Sequence, residues 1–466
     1  MANKITSVQN IEILGTNRFE PRYFYNRHLL TKAFSKFGFS IITDISNKPI
    51  SGSTPEHFDE RLNESDAFFV KSADVKRYNL NKTTISYISA DIHKKRKSKY
   101  IYPQDIMVSN TGKYLGFACI VPQSIPECTT NQNISTLRLF HNNKFTPEFI
   151  AAYLNSYFGQ REIESLLTLT GQKYLNSSNF KKLRVPNVGE VHIDTITALM
   201  KSIVYKEMDA VTKIEQAQKL FYSRIGIDFN AIEKENVFCV NKSNFAEADL
   251  WTPMYSYPLY VNTLKAIQSK WQTITVGEIA DLKKGDEVGS DTYIGYLDKK
   301  ESDVPFVRTS DIVNYEIDQY PDFFIPKEIY EELGQGFQKG DVLFTKDGKI
   351  GMVGMITEYD TAIISSGFAG LRLNKKAKDY GITPEYLFLA LSIKEIGIYA
   401  SKRRTVIAST IPHLREERLK EIEIPILDRE TIVEITNLVK KAFELKDEKK
   451  RLIAEVRETM DGYFEV

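Results

Sequence analysis

Asp341, Asp347 and Lys349 are the residues whose types and spacing come nearest to catalysis, since carboxylates beside a lysine are what a metal-dependent nuclease uses. A matching stretch 236 positions earlier repeats Asp105 and Lys113 but carries Asn110 near the place of Asp347, so the carboxylates are not duplicated. The chain has no Asn-Pro-Pro-Tyr motif for amino methylation and no Gly-x-x-x-x-Gly-Lys-Ser/Thr loop for nucleotide phosphates. His28, His57, His93, His141, His192 and His413 lack metal-ligand spacing, and Cys119, Cys128 and Cys239 include no Cys-x-x-Cys pair. The expectation is a chain without its own catalytic site, metal or cofactor, with three semi-buried thiols.

A second chemistry is better supplied, the reading of base edges by Arg, Lys, Asn, Gln, Ser and Thr and the holding of phosphates by cations and small hydroxyls. Asn110, Thr111 and Lys113, and Lys346 and Lys349, fall at two expected hairpin tips. Lys71 and Ser72, like Arg308, Thr309 and Ser310, follow apolar runs that read as buried strands, whereas Asp74 and Asp311 read as turn caps. Lys94, Lys95, Arg96 and Lys97 form a basic loop followed by Lys99 and Tyr100, suited to a phosphate clamp. Lys402, Arg403 and Arg404 stand in an expected loop before a last strand, where the first half has Gln172 and Lys173.

The elements that must position these residues form a duplication. Phe68 to Asp74 matches Pro305 to Asp311, Tyr102 to Lys113 matches Gln338 to Lys349, Phe145-Thr-Pro-Glu matches Ile382-Thr-Pro-Glu, and Leu183 to Pro186 matches Ile422 to Pro425, at offsets of 236 to 239. Phe19 to Tyr23 faces Trp251 to Tyr255 at the start of each copy. Each copy reads as short strands around a glycine turn, then a helix opened by Thr-Pro, expected from Pro147 to about Ser165 and from Pro384 to about Ile398. Ile193, Ile196, Met200, Ile203, Val211, Ile214 and Phe221 recur at helical steps after the first copy. Ile432, Ile435, Val439, Ala442, Leu445, Leu452, Val456, Met460 and Tyr463 do so after the second, behind the N-cap type Asp428.

The expected class is therefore α+β, with two duplicated mixed α/β domains, which the resemblance stated below makes target-recognition domains, separated by two long antiparallel coiled-coil helices in a pseudo-two-fold arrangement. The boundaries are 1–188 for domain one, 189–225 for the first helix, 226–250 for a linker, 251–427 for domain two and 428–466 for the second helix. At 466 residues and 42% hydrophobic content the chain can bury two cores. Net charge is +1, but residues 1–188 hold 25 Lys and Arg against 15 Asp and Glu, while residues 251–427 hold 22 against 26. Any phosphate-binding surface must therefore be local. With no run of about 18 apolar residues and no signal-peptide pattern, a cytoplasmic protein without membrane contact is expected.

In their order and duplication these residues resemble the specificity (S) subunits of type I restriction-modification systems. The resemblance rests on Pro305-Phe-Val-Arg-Thr-Ser-Asp311-Ile, on Lys339-Gly-Asp341-Val-Leu-Phe-Thr with Gly348 and Gly351, and on a closing Ile-Pro-Ile before a long helix. The first half departs from it, with Gln104 in place of the glycine before Asp105 and Ala73 at a usually polar position. The resemblance implies a non-catalytic subunit that binds a bipartite double-stranded DNA site and recruits two methyltransferase (M) subunits and, through them, restriction/translocase (R) subunits. S-adenosylmethionine, ATP and Mg would then belong to those partners. A related non-classical system, a self-contained nuclease and a protein-interaction scaffold that never touches DNA are the competing readings.

Overall fold

The computed structural model describes residues 20–56, 66–168, 173–235, 237–241, 250, 252–288, 303–408 and 411–464. Phe19, Trp251 and Gln172, on which the paired opening segments and one candidate contact depend, lie outside the described residues. The chain forms two units, one of residues 1–208 with 449–466 and one of residues 209–448. Each combines one mixed helix and strand module with a segment of each long helix, Glu190–Ile225 and Arg429–Gly462.

In the first unit a four-stranded antiparallel sheet runs in the order Ile50–Ser51, Ile134–Leu137, Ile106–Ser109, Ala118–Ile120. A three-stranded sheet sets Ala67–Val70 between an antiparallel Ser86–Ile88 and a parallel Cys128–Thr130. Phe39–Ile41 pairs with the closing strand Arg184–Pro186. The second unit repeats all three. Its four strands are Ala280–Lys284, Phe368–Leu373, Val342–Thr345 and Val353–Met355; its mixed sheet sets Val304–Val307 between Phe324–Ile325 and the parallel Ile363–Ile364; and Thr273–Thr275 pairs with Glu423–Pro425. The strands that lead into the glycine turns, Ile106–Ser109 and Val342–Thr345, are buried throughout, so they anchor those turns.

Helix starts follow the Thr-Pro signal. Thr146 Oγ1 accepts from the Phe149 amide at 3.1 Å and Thr383 Oγ1 from Tyr386 at 3.1 Å, with proline in the first turn, where no amide is needed. Neither helix continues as expected. The first ends at Asn155, and a second, Tyr157–Leu166, begins after Ser156, whose hydroxyl accepts from Gly159 N. In the second unit Pro384–Ser392 gives way to a π-helical turn, Lys394–Ile398, and the helix Tyr399–Arg404. The breaks share a cause. A Cβ on Gly159 would stand 1.8 Å from Tyr153 O and one on Gly397 1.8 Å from Leu391 O, so each chain reversal presses a glycine onto the preceding helix end.

The modules are fastened to the long helices in the same manner. Thr146 and Thr197 share a hydroxyl hydrogen bond at 2.6 Å, as do Thr383 and Thr436 at 2.8 Å. In the first unit Ile193, Ile196, Met200 and Ile203 are buried, as are Ile453, Val456 and Met460. There His192 stacks on Tyr463 with ring centroids 4.1 Å apart, and Lys449 donates to Glu207, so the two helix segments run in opposite directions. In the second unit Ile214, Ala217 and Phe221 share one core with Ile435, Val439, Ala442 and the module's Phe388.

Candidate nucleic-acid interface

The frame of each site is a buried carboxylate held by an arginine. Asp105 accepts from Tyr102 N and from both Nε and Nη2 of Arg138, and Asp341 accepts from Gln338 N and the same two nitrogens of Arg372. These bonds consume Asp341, so the nuclease trio does not assemble: its carboxylate is 1% exposed and serves the strand that it precedes. Among the described residues no group of three His, Cys, Asp or Glu could hold a metal ion.

Beyond the framed strand the chain turns, and the turn is clasped by a third segment. In the first unit Asn110 N donates to Asn133 O at 2.8 Å, Leu175 N donates to Asn110 O at 2.9 Å, and Thr111 bridges Tyr174. In the second, Lys346 N donates to Gly367 O at 2.8 Å, Leu414 N donates to Lys346 O at 2.8 Å, and Asp347 bridges His413. Thus Thr111, not Asn110, is the counterpart of Asp347. The segment after the Thr-Pro helix is brought onto the glycine turn in both copies.

The preceding turn joins them. Asp74 Oδ2 accepts from Lys71 N at 2.8 Å and Asp311 Oδ2 from Arg308 N at 2.9 Å, which makes both aspartates turn caps and sets Ser72 and Thr309 at fixed positions. A Cβ on Gly367 would meet Thr309 Cγ2 at 2.7 Å, so the Thr309 turn lies against the strand end that clasps Lys346. Thr309, Lys346 and the Asp347–His413 pair are therefore one cluster in the second unit.

The individual candidates divide by accessibility. Ser310, Lys349, Lys402 and Lys173 are exposed, and Lys71, Ser72, Thr111, Lys113, Thr309 and Lys346 are half-buried in the turns. Lys94, Lys95 and Lys97 are exposed, while Arg96 turns its guanidinium to Ser53 O. This basic segment is not an open loop: it comprises the end of the helix Ala90–Lys94 and the 3-10 turn Lys97–Lys99. Arg308 is committed to Asp322 at 2.9 Å and lies over the Phe323 ring.

Two candidates sit where no base edge reaches. Asn110 is 2% exposed, its amide donating to Ser135 Oγ at 3.0 Å, and Arg404 is 6% exposed, bonded to the Glu421 carboxylate and carbonyl. The supposed loop around Arg404 is instead the last turn of Tyr399–Arg404, which draws this side chain inward. Arg403 lies over Tyr255, bonded to its carbonyl at 2.8 Å, and burial lowers its basicity from the ordinary arginine value. The sequence reading also missed a two-stranded ribbon, Val406–Ala408 with Ile411–His413, immediately after that helix. Its signal was the run Val406-Ile-Ala, but apolar residues normally announce a buried strand.

The model of the type I restriction modification DNA specificity domain matches residues 35–201 and again 268–456. No curated protein sequence matches the chain. Among solved structures, the type I restriction-modification system S subunit from M. genitalium is 15% identical, covering 92% of this chain and 95% of that one at a TM-score of 0.35. The HsdS subunit from Thermoanaerobacter tengcongensis is likewise 15% identical, covering 92% and 96% at 0.28. With the specificity-domain model spanning both copies of the clasped turn, the chain belongs to the type I restriction-modification DNA specificity family.

Proposed function

We infer that this specificity subunit recognises a bipartite site on double-stranded DNA, each module reading one half-site, and that the long helices set the gap. The observation that carries this reading is the duplicated clasp: Thr111 on Tyr174 and Asp347 on His413, each on a buried strand locked by an arginine. A rigid turn bearing small hydroxyls and lysines suits groove and phosphate contacts, and its repetition suits two half-sites. The contact set we favour is Lys71, Ser72, Thr111, Lys113 and Lys173 in the first module and Thr309, Ser310, Lys346, Lys349 and Lys402 in the second, with Lys94, Lys95 and Lys97 on phosphates.

A coiled coil of the two long helices would act as a spacer. The first helix has 36 residues, about 54 Å at about 1.5 Å per residue, against about 34 Å between successive turns of one groove. The same helices are the proposed seat of two methyltransferase subunits, which would bring the restriction subunits, S-adenosylmethionine, ATP and Mg. The chain itself then performs no chemistry. The test is to express it with and without its methyltransferase and map N6-methyladenine across the host genome. A split motif with a constant gap, methylated only when both proteins are present, is expected; methyl transfer by the chain alone would overturn the reading.

A further inference from the structure

The ribbon in the second unit is built unlike the other strands of its module. Val406 stands opposite His413, Ile407 opposite Pro412 and Ala408 opposite Ile411. Directly opposed residues share a face, so Ile407 and Ile411 lie on opposite faces of the ribbon. Both are exposed, at 71% and 56%, whereas Val342, Leu343 and Phe344 in the neighbouring strand are completely buried. Two β-branched side chains thus stand in water on one narrow element.

A two-stranded ribbon alone is marginally stable, so its base must be held. Gly348 N donates to Pro412 O at 3.1 Å, Leu414 N donates to Lys346 O, and His413 pairs with Asp347. The base is therefore the clasped turn, with Lys349 exposed in it and Lys346 recessed beside Asp347, and Lys402 is exposed on the helix that leads into the ribbon. In a module with four more acidic than basic residues, this gathers cations where the ribbon leaves the body.

The geometry points to the ribbon as a major-groove reader of thymine, an assignment that rests on the DNA-reading role inferred above. The major groove, about 12 Å wide, admits a two-stranded ribbon, and it is there that thymine alone presents a methyl group. Isoleucine has no donor or acceptor for the other base edges, so burial against that methyl is the discrimination available to it. Lysines at the base are complementary to the phosphates that flank the groove. Recognition then divides between the ribbon, which reads a methyl, and Thr309, Ser310 and Lys349, which hold the backbone.

The test uses the full chain assembled with its methyltransferase and a site selected from random duplexes. The selected half-site for the second module should contain thymine, and replacing that thymine by uracil should weaken binding about fourfold for each methyl group lost. Ile407→Ala with Ile411→Ala should weaken binding to the thymine site and remove the thymine–uracil difference. Ile407→Val should retain part of it, and binding to unrelated duplexes should stay unchanged. Equal uracil sensitivity in the alanine variant, or a half-site without thymine, overturns the assignment. Loss of methyltransferase assembly in that variant overturns it too, moving the ribbon to subunit docking. If the unaltered assembly selects no sequence at all, the DNA-reading role itself fails.

Discussion

Arg372 holds Asp341 through Nε at 2.7 Å and Nη2 at 2.6 Å, and Arg138 holds Asp105 through the same nitrogens at 2.8 and 2.6 Å. Each carboxylate is buried at the head of the strand that carries the glycine turn, so the pair aims that turn. Arg372→Ala leaves a buried charge without its counter-ion and should cost about 3 kcal/mol, measured by chemical denaturation with hydrogen exchange localised to the second module. Arg372→Lys should recover only part, because a lysine cannot make the two parallel bonds.

The residue before each aspartate has a left-handed backbone, Gly340 with φ of +90° and Gln104 with φ of +72°. Gly340→Gln should therefore destabilise the second module by about 1 kcal/mol through backbone strain alone, since the nearest atom to an added Cβ is Pro384 Cγ at an ordinary 3.6 Å. Gln104→Gly should cause no such loss. Thermal unfolding of both variants checks the asymmetry.

Asp428 caps the second long helix by accepting from the Thr431 amide at 2.9 Å and its hydroxyl at 2.8 Å. These two bonds, the amide first, lower its pKa from the ordinary 3.8. A carboxylate depressed on folding contributes stability that is present above its unfolded pKa and is lost as pH falls through the folded value. Asp428→Ala should cost about 1 kcal/mol at neutral pH, and the gap to the unaltered chain should close as the pH drops below 3.8. Denaturation across that range measures it.

The three cysteines should separate by reactivity. Burial pushes the Cys119 thiol far up and the Cys128 thiol up to about 12, whereas Cys239 is exposed. Thiol titration of the native chain at neutral pH should count one fast group, and denaturation should release the other two. Mass mapping that finds Cys128 labelled in the native chain contradicts the fold around its strand.

Arginine and lysine variants should fail in different ways. Lys349→Ala should weaken DNA binding uniformly across sequences and reduce the salt slope by about 1, as a phosphate contact does. Arg404→Ala, which strips Glu421 of its buried partner, should lower stability and leave sequence preference unchanged. Fluorescence anisotropy over a salt series, alongside unfolding curves, tells the two apart.

Local signals were enough to establish the duplication, the Thr-Pro helix starts, the two long helices and the turn-capping aspartates. Each depends on spacing and on backbone chemistry within a few residues, which a linear pattern preserves. Gln104 was also legible as an oddity, and its left-handed backbone is the physical content of that mismatch. Accessibility was decided elsewhere. Asn110 and Arg404 are of the right types for DNA, but Ser135 and Glu421, 25 and 17 residues away, draw them inward. Asp347 acquires His413 across 66 residues, and the ribbon turns Ile407 and Ile411 out to water where their composition predicts a buried strand. A residue's chemistry is written in its type, but whether a partner can reach it depends on which distant segment folds against it, and only the packed chain settles that.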